Sequence, residues 1–365
     1  MKNFNAKKKF KVLLCAPGDE LEGGIAAVVY GLKKIFKLKE DLIDYRRIIY
    51  AKPCNNIGTI TRLIKEANQL IIFISQLLIY KPDIIHIQSS FDKKTIIRDS
   101  IHLWFTLLLN KKFVLHAHGG DWHLVPSWNK LWILYTKTFL TRCHKIIVTS
   151  LEEKKIINKI YGIRVKVSKI NNPVVLPLDI SNIQRSKTNI TKIIFASRFI
   201  PTKVILDVIK AASLINKKDF KICLYGNGIL FSEAQKLINS LNLQNRVFLK
   251  GKISLAKLIT EYCKSDIFLF PSYHLEGFPM AFFYAVACSL PIISTRIRPI
   301  PDFLSEPDNC LWIEPENYKM LAEKIIYLIN HPEIRKKMSK NNAKLAKQFT
   351  IENISRDFVY LYSQL

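Results

Sequence analysis

Two doubly wound α/β domains in series are the fold class predicted by this 365-residue sequence, on three observations. The chain is longer than a single hydrophobic core usually supports, so about two domains is the expectation. Short Val/Ile-rich runs alternate with helix-patterned segments along most of its length. Continuous apolar strands joined by helices belong to parallel sheets covered on both faces. The alternation lapses between residues 171 and 192, where Asn-Asn-Pro, Leu-Pro-Leu-Asp and Ser-Lys-Thr-Asn are turn and linker residues.

Strands are expected at 10–16, 84–88, 113–117, 145–150 and 165–170 in the first half, and at 192–196, 221–225, 247–249, 267–270 and 292–295 in the second. Helices at roughly 317–330, 333–348 and 351–363 carry the apolar spacing of packed amphipathic elements. The domains are therefore drawn as 1–175 and 190–348, with 349–365 a terminal helix expected to pack back toward the N-terminal domain. Two such domains facing each other, each exposing the carboxyl ends of its strands, would leave a cleft for a ligand.

With 49% apolar and 23% charged residues the chain is globular in composition. Its formal charge of +27 is uneven: residues 1–300 hold 47 Lys+Arg against 20 Asp+Glu, whereas residues 301–365 hold 9 against 9. A field of that sign attracts nucleic acid, anionic lipid or phosphorylated substrates, and the charge alone does not choose among them. It reads equally as a compositional bias toward Lys, Asn and Ile, with solvated lysines on every face. No helix-turn-helix, zinc module or aromatic ribonucleoprotein signature accompanies it, so nucleic acid is not expected as a partner.

Seven scattered cysteines, at 15, 54, 143, 223, 263, 288 and 310, form no Cys-x-x-Cys pair and argue for free thiols and a cytoplasmic location. Val12-Leu13-Leu14-Cys15 follows a basic start as a leader would, but the run ends at Pro17-Gly18-Asp19-Glu20, so a first buried strand is expected there. The longest apolar stretches, 70–80 and 101–109, fall short of the ~20 residues that cross a bilayer as a helix. Trp122, Trp128, Trp132 and Tyr135, set among Lys130, Lys137 and Arg142, read either as core or as a peripheral contact with an anionic membrane.

Four places carry chemistry. Gly23 and Gly24 open a helical pattern after the first strand, where glycine lets an anion approach the free N–H groups of a helix N-terminus. The third predicted strand ends in His116-Ala117-His118-Gly119-Gly120-Asp121; its histidines suit polar contact with substrate, and without a further ligand at suitable spacing no metal is expected. Arg198 follows a strand and Lys203 starts the next helical segment, so the two cations can clamp a diphosphate. In Glu276-Gly277-Phe278-Pro279 the proline suits the first helical position, which would leave the Gly277 and Phe278 N–H groups to hold a phosphate or a sugar hydroxyl. Glu276 beside them accepts from sugar hydroxyls.

In that order, with Asn172-Pro173, Gly226-Asn227-Gly228, Gly251 and Pro291, these residues resemble glycosyltransferase family 4, retaining enzymes of the two-domain GT-B architecture. The resemblance implies a nucleotide-diphosphate sugar, UDP- or GDP-linked, as donor, with no cofactor or metal required. It implies diphosphate contacts from Gly23, Gly24, Arg198 and Lys203, and a base resting near Gly251 and Lys252. Glu276, Gly277 and Phe278 would hold the hexose, with His118 facing it. Similar proteins carry a second glutamate eight residues after the first, for the ribose hydroxyls; here that position is Tyr284, whose phenol makes one good bond where a carboxylate makes two.

The expected activity is transfer to a lipid-linked or saccharide acceptor in bacterial lipopolysaccharide, capsule or exopolysaccharide synthesis, in the cytoplasm with peripheral contact on the inner face of its membrane. A degenerate relative acting as a binding subunit of an assembly complex is the alternative, motivated by Tyr284.

Overall fold

The computed structural model describes residues 9–18, 23–50, 59–120, 125–163, 166–183, 189–217 and 219–365. The expectations that fell on Asp19, Glu20, Cys54, Asp121, Trp122, Val165 and residues 186–188 of the linker lie outside the described residues. The chain divides into two compact units. One comprises Met1–Val175, Glu276–Phe278 and Phe349–Leu365; the other comprises Leu176–Leu275 and Pro279–Gln348.

The first unit is built on a six-stranded sheet in the order β2-β1-β3-β4-β5-β6. Its strands are β1 (Phe10–Ala16), β2 (Ile43–Ile49), β3 (Ile84–Ser89), β4 (Lys112–Ala117), β5 (Lys145–Val148) and β6 (Val167–Lys169), all paired in parallel. Helices α1 (Gly24–Leu38), α2 (Thr59–Ile79), α3 (Lys93–Leu108), α4 (Lys130–Arg142) and α5 (Leu151–Tyr161) connect them. Parallel crossovers are right-handed. The steps β2 to β3, β3 to β4, β4 to β5 and β5 to β6 all run the same way along the sheet, so α2 to α5 share one face. Accordingly Phe73 and Leu77 of α2, Leu103 of α3, Phe139 of α4 and Ile157 of α5 join one buried cluster. The step β1 to β2 runs the other way, and α1 packs instead against the terminal helix α12 (Ile351–Ser363).

The second unit has the sheet order β12-β11-β10-β7-β8-β9, again parallel throughout. It contains β7 (Thr191–Ala196), β8 (Phe220–Tyr225), β9 (Val247–Gly251), β10 (Ile267–Phe270), β11 (Ile292–Thr295) and β12 (Cys310–Ile313). Helices α6 (Ile205–Ser213), α7 (Phe231–Ser240), α8 (Leu255–Cys263), α9 (Met280–Ala287), α10 (Tyr318–Asn330) and α11 (Pro332–Ala346) cover it. Its core is almost wholly aliphatic and aromatic, as both faces of a central parallel sheet require.

Two strands escaped the sequence pattern. Ile43–Ile49 reads Ile-Asp-Tyr-Arg-Arg-Ile-Ile because β2 is an edge strand with polar side chains turned to water, and the four-residue β12 is the opposite kind of edge, short but fully buried. The strand expected at 145–150 stops at Val148, since Thr149 and Ser150 turn to start α5. Ser150 caps that helix reciprocally with Glu153, a capping box. Pro279 is the N-cap of α9, one position before the helical site expected for it. Six cysteines, Cys15, Cys143, Cys223, Cys263, Cys288 and Cys310, are buried free thiols. No helix among the described residues is long and apolar enough to cross a membrane.

Candidate functional site

In the second sheet, successive strands leave the centre in opposite directions, β7 to β9 one way and β10 to β12 the other. The loops after β7 and β10 therefore part, and the crevice between such diverging loops is where open α/β sheets take their ligands. Both loops carry residues expected to act on the donor. Arg198 is exposed just beyond β7, and Lys203 ends the 3-10 turn Pro201–Lys203. The Lys203 side chain is buried, with Nζ 5.0 Å from the centre of the Phe270 ring. Fully burying an ammonium is costly, so lysine is rarely found there without compensating charge or dipoles. The next residue, Val204, has φ 50° and ψ 41°. A β-branched residue is strained in that left-handed region, and such strain gathers at functional sites.

The two loops are tied together. Tyr273 N donates to the Thr202 carbonyl at 3.1 Å and Ser272 Oγ to the same oxygen at 3.3 Å. His274 lies between the cation and the turn, with Nε2 3.4 Å from Arg198 Nη2 and Nδ1 3.0 Å from Thr202 Oγ1. Arg198 has only donors, so the imidazole proton belongs on Nδ1 and is given to Thr202. From the other side, Phe199 N donates to the Asn227 carbonyl at 2.9 Å, and a Cβ on Gly226 would lie 1.8 Å from the Ser197 carbonyl oxygen. Only glycine permits that approach of the β8 loop to the cation-bearing loop.

Gly251 closes β9 with φ +69°, its carbonyl accepting from Gly226 N at 3.0 Å, and Lys252 beyond it is exposed. Both stand at the edge strand, two positions along the sheet from β7. Tyr284 sits within α9 at 6% exposure, near the buried Tyr262, so little of its phenol reaches the surface.

In the first unit, Gly23 is the N-cap of α1 and both it and Gly24 are exposed. The first turn has no acidic residue and no side-chain cap, and among the described residues a Cβ on either glycine would meet nothing within 4 Å. The free N–H groups at the start of this 15-residue helix are of the kind that suits an anion.

Glu276–Phe278 belongs to this unit although it follows β10 in the chain. A Cβ on Gly277 would stand 2.2 Å from Gly119 N and 2.7 Å from the His118 carbonyl carbon, so the backbones at 118–119 and 276–277 touch. Thr149 Oγ1 donates to the Gly277 carbonyl at 2.7 Å, and Phe278 packs edge-on against Phe349 with centroids 5.9 Å apart. His118 and Glu276, 158 positions apart in sequence, are brought to one place by that approach.

His118 is the outer member of a buried polar array. Its Nε2 donates to Gln88 Oε1 at 2.6 Å, and its Nδ1 has no partner among the described residues. Its ring centroid is 4.2 Å from that of His116. His116 Nδ1 lies 3.3 Å from His86 Nε2, whose Nδ1 is 2.7 Å from Tyr362 Oη. Beyond His116 the side chain of Asn172 interacts with the imidazole. The directions are consistent if Tyr362 donates to His86 and His86 to His116, which leaves the proton of His116 on Nε2, an atom with no hydrogen-bond partner among the described residues. Burial disfavours the charged imidazolium, pushing His86 down to about 3 and His116 well below the ordinary histidine value. The same cause lowers His118. All three are neutral at pH 7, each able to donate one hydrogen bond and accept one. Among the described residues no group of three His, Cys, Asp or Glu is arranged to hold a metal ion.

Sequence reasoning did not single out His86, Gln88, Tyr362, Thr149, Thr202 or Ser272. For the first two a signal existed, since Ile-Ile-His-Ile-Gln places two polar residues on one face of a strand that should be apolar on both. The hydroxyl residues carry none, because serine and threonine in loops are ubiquitous.

Two family models cover most of the chain: Glycosyltransferase Family 4 over residues 6–176 and Glycosyl transferases group 1 over residues 179–345. An uncharacterised glycosyltransferase of Methanocaldococcus jannaschii is 30% identical over 175 residues, 47% of this chain and 48% of that protein. The poly(ribitol-phosphate) α-N-acetylglucosaminyltransferase of Staphylococcus aureus is 30% identical over 172 residues, 46% of this chain and 34% of that protein. The match thus spans less than half the length of either relative. Among solved structures, the HepE protein of Anabaena in complex with UDP superimposes with a TM-score of 0.75 at 17% identity, over 98% of this chain and all of that one. A likeness at that identity is one of fold, the pair of parallel sheets called GT-B.

Proposed function

Since the chain belongs to glycosyltransferase family 4 and has the GT-B fold, we propose that it transfers a sugar, with retention of configuration, from a UDP- or GDP-sugar to a saccharide or lipid-linked acceptor of a bacterial surface polysaccharide. One observation carries this most: a buried lysine and an exposed arginine follow the central strand of the second sheet, at its switch point. In that unit Arg198 and Lys203 take the diphosphate and neutralise the charge that develops as it leaves. Gly251 and Lys252 flank the base and Tyr284 stands at the ribose end. In the first unit Glu276, with the Gly277 and Phe278 amides, takes hexose hydroxyls, His118 contacts the same sugar, and the α1 amides at Gly23 and Gly24 add an anion contact. A departing phosphate oxygen deprotonates the acceptor hydroxyl, so no protein base and no metal enters the step.

UDP bound to the Anabaena protein supports a uridine donor. The phosphate-bearing acceptor named for the staphylococcal relative, together with the charge of +27, supports an anionic acceptor such as a polyprenyl-diphosphate-linked glycan at the inner face of the membrane.

A thermal-shift panel of UDP, GDP and their sugars, followed by nucleotide release with acceptor, tests the proposal. Lys203→Ala and Glu276→Ala should each lower release by about 100-fold, since losing a charge-assisted contact costs ~1.5–3 kcal/mol and the reaction stabilises more charge than binding does. Full activity in both variants would remove these residues from the site. Buried Tyr284 favours a second possibility, a binding subunit without turnover, which calorimetry would support if no nucleotide bound at all.

A further inference from the structure

On α3 polar side chains share the buried face with Ile96 and Leu103, and apolar side chains also turn outward. Asp99, Ser100, His102 and Thr106 are buried, while Ile97, Ile101, Trp104 and Leu108 are exposed, Trp104 at 65% and Leu108 at 78%. The exposed four recur at intervals of four, three and four residues, which sets them in one stripe along the helix. Each of the four buried polar side chains makes a hydrogen bond. Asp99 accepts from Tyr50 Oη at 2.5 Å and from Arg98 at 2.8 and 3.0 Å, and the Ser100 and Thr106 hydroxyls return to helix carbonyls at 2.7 Å. A helix that hides a carboxylate and turns tryptophan, leucine and isoleucine outward is patterned for a second apolar environment.

The neighbours extend the stripe. Helices α2 and α4 pack on either side of α3. From α2, Ile64, Ile71 and Leu78 are exposed at intervals of seven, and from α4, Leu131, Leu134 and Tyr135 face outward. Soluble monomers rarely show contiguous apolar surface on this scale unless something covers it.

The charges identify the occupant. Neither α3 nor α4 has an exposed carboxylate, Asp99 being the one acid on either. Exposed Lys93 and Lys94 open α3, and exposed Lys130, Lys137 and Arg142 lie on α4. The Arg142 guanidinium is 5.6 Å from the ring of Trp104, and Lys93 Nζ is 5.4 Å from each of Trp128 and Trp132. A second copy of this surface would bring cations against cations. Cations beside aliphatic and tryptophan side chains fit an anionic bilayer, with apolar groups at acyl depth and cations among head groups.

We infer that the outer face of α3, flanked by α2 and α4, seats the protein on anionic lipid. This locates the contact on aliphatic residues of α3 and not on Trp128, which is buried. It rests on the reading that the acceptor is lipid-borne.

The test uses the full-length protein and two measurements. Flotation with vesicles of phosphatidylcholine containing phosphatidylglycerol should recover it at low salt, with less at high salt and little on phosphatidylcholine alone. The exposed positions tolerate charge, so Ile101→Glu with Leu108→Glu should fold normally and weaken vesicle binding by roughly tenfold or more, leaving the nucleotide-induced thermal shift unchanged. A wild-type protein that shifts with nucleotide but ignores anionic vesicles overturns the lipid surface and leaves the donor site standing. Vesicle binding without any nucleotide shift supports the surface while removing the donor. Binding unaffected by the double substitution, or a stable dimer that the substitution dissociates, overturns it.

Discussion

The central strands of the two sheets are built on opposite principles. In the second unit β7 and β10 contribute Ile193, Phe195, Ile267 and Leu269 to the core, their polar residues being Thr191 and Lys192 at the start of β7, and the polar groups at their carboxyl ends begin beyond the strands, at Arg198 and Ser272. In the first unit β3 and β4 carry His86, Gln88 and His116 inside the sheet, and the array runs from Tyr362 to His118. The second unit can thus keep core stability apart from site chemistry, whereas the first couples them through protons. Acidity should therefore act on the first unit and leave the second comparatively untouched.

The largest expected effect is on stability in acid. His86 has a folded value of about 3 against about 6.5 unfolded, so between those values the unfolded chain binds the extra proton. The stabilisation is complete above pH 6.5 and is lost as the pH falls toward 3, by about 1.4 kcal/mol per pH unit for each such histidine. His116 acts in the same direction. Urea unfolding followed by tryptophan fluorescence separates the units, because Trp104, Trp128 and Trp132 report the first and Trp312 the second. The first transition should move to lower urea in acid, and His86→Gln with His116→Gln should flatten that dependence. Equal acid sensitivity of the Trp312 signal would break the comparison.

Next in size is a backbone effect in the second unit. Gly226→Ala forces a Cβ to 1.8 Å from the Ser197 carbonyl oxygen and should cost about 2–3 kcal/mol, with loss of the nucleotide-induced thermal shift. Gly251→Ala meets no neighbour within 4 Å and bears only the strain of φ +69°, about 1–2 kcal/mol. Similar costs in the two variants would mean that the fit of the β8 loop behind Arg198 is unimportant.

Smallest in stability is Gln88→Ala, which removes the acceptor from His118 Nε2. With one hydrogen bond worth about 0.5–1.5 kcal/mol, unfolding should change little. Because the imidazole loses its fixed orientation, kcat should fall on the order of tenfold with the donor KM unchanged. Rescue by Gln88→Glu, which still accepts from His118, would sharpen the assignment of Gln88 as a positioning residue. A matching loss of stability and activity would reduce it to a packing role.

The segments legible in sequence were those whose residues state their own environment. β1, β10 and β11 were found to the residue because a continuous apolar run with a turn at each end has few other meanings. The two terminal strands β2 and β12 were not, since an edge strand need not be apolar on both faces and four residues are too few for a pattern. The loop residues at 198, 203 and 276 stood out by charge after a strand, and glycines by their lack of a side chain. His274, though visible in the same loop, acquired its place against Arg198 and Thr202 only when β7 and β10 became neighbours.

Sequence alone determined the class of fold and which residue types stand at strand ends, because strand periodicity and glycine or charge at a turn are local properties, and the family followed from the resemblance that those motifs make in order, which the family models match. Tertiary structure decided what no local pattern contains. It brought Gly277 within touching distance of Gly119, buried Lys203 and Tyr284, and set Tyr362, from the last helix, against His86 of the first sheet. It also left Ile97, Ile101, Trp104 and Leu108 of α3 facing outward while Ile96 and Leu103 are buried, since apolar residues on both faces do not say which one meets water, and only packing does.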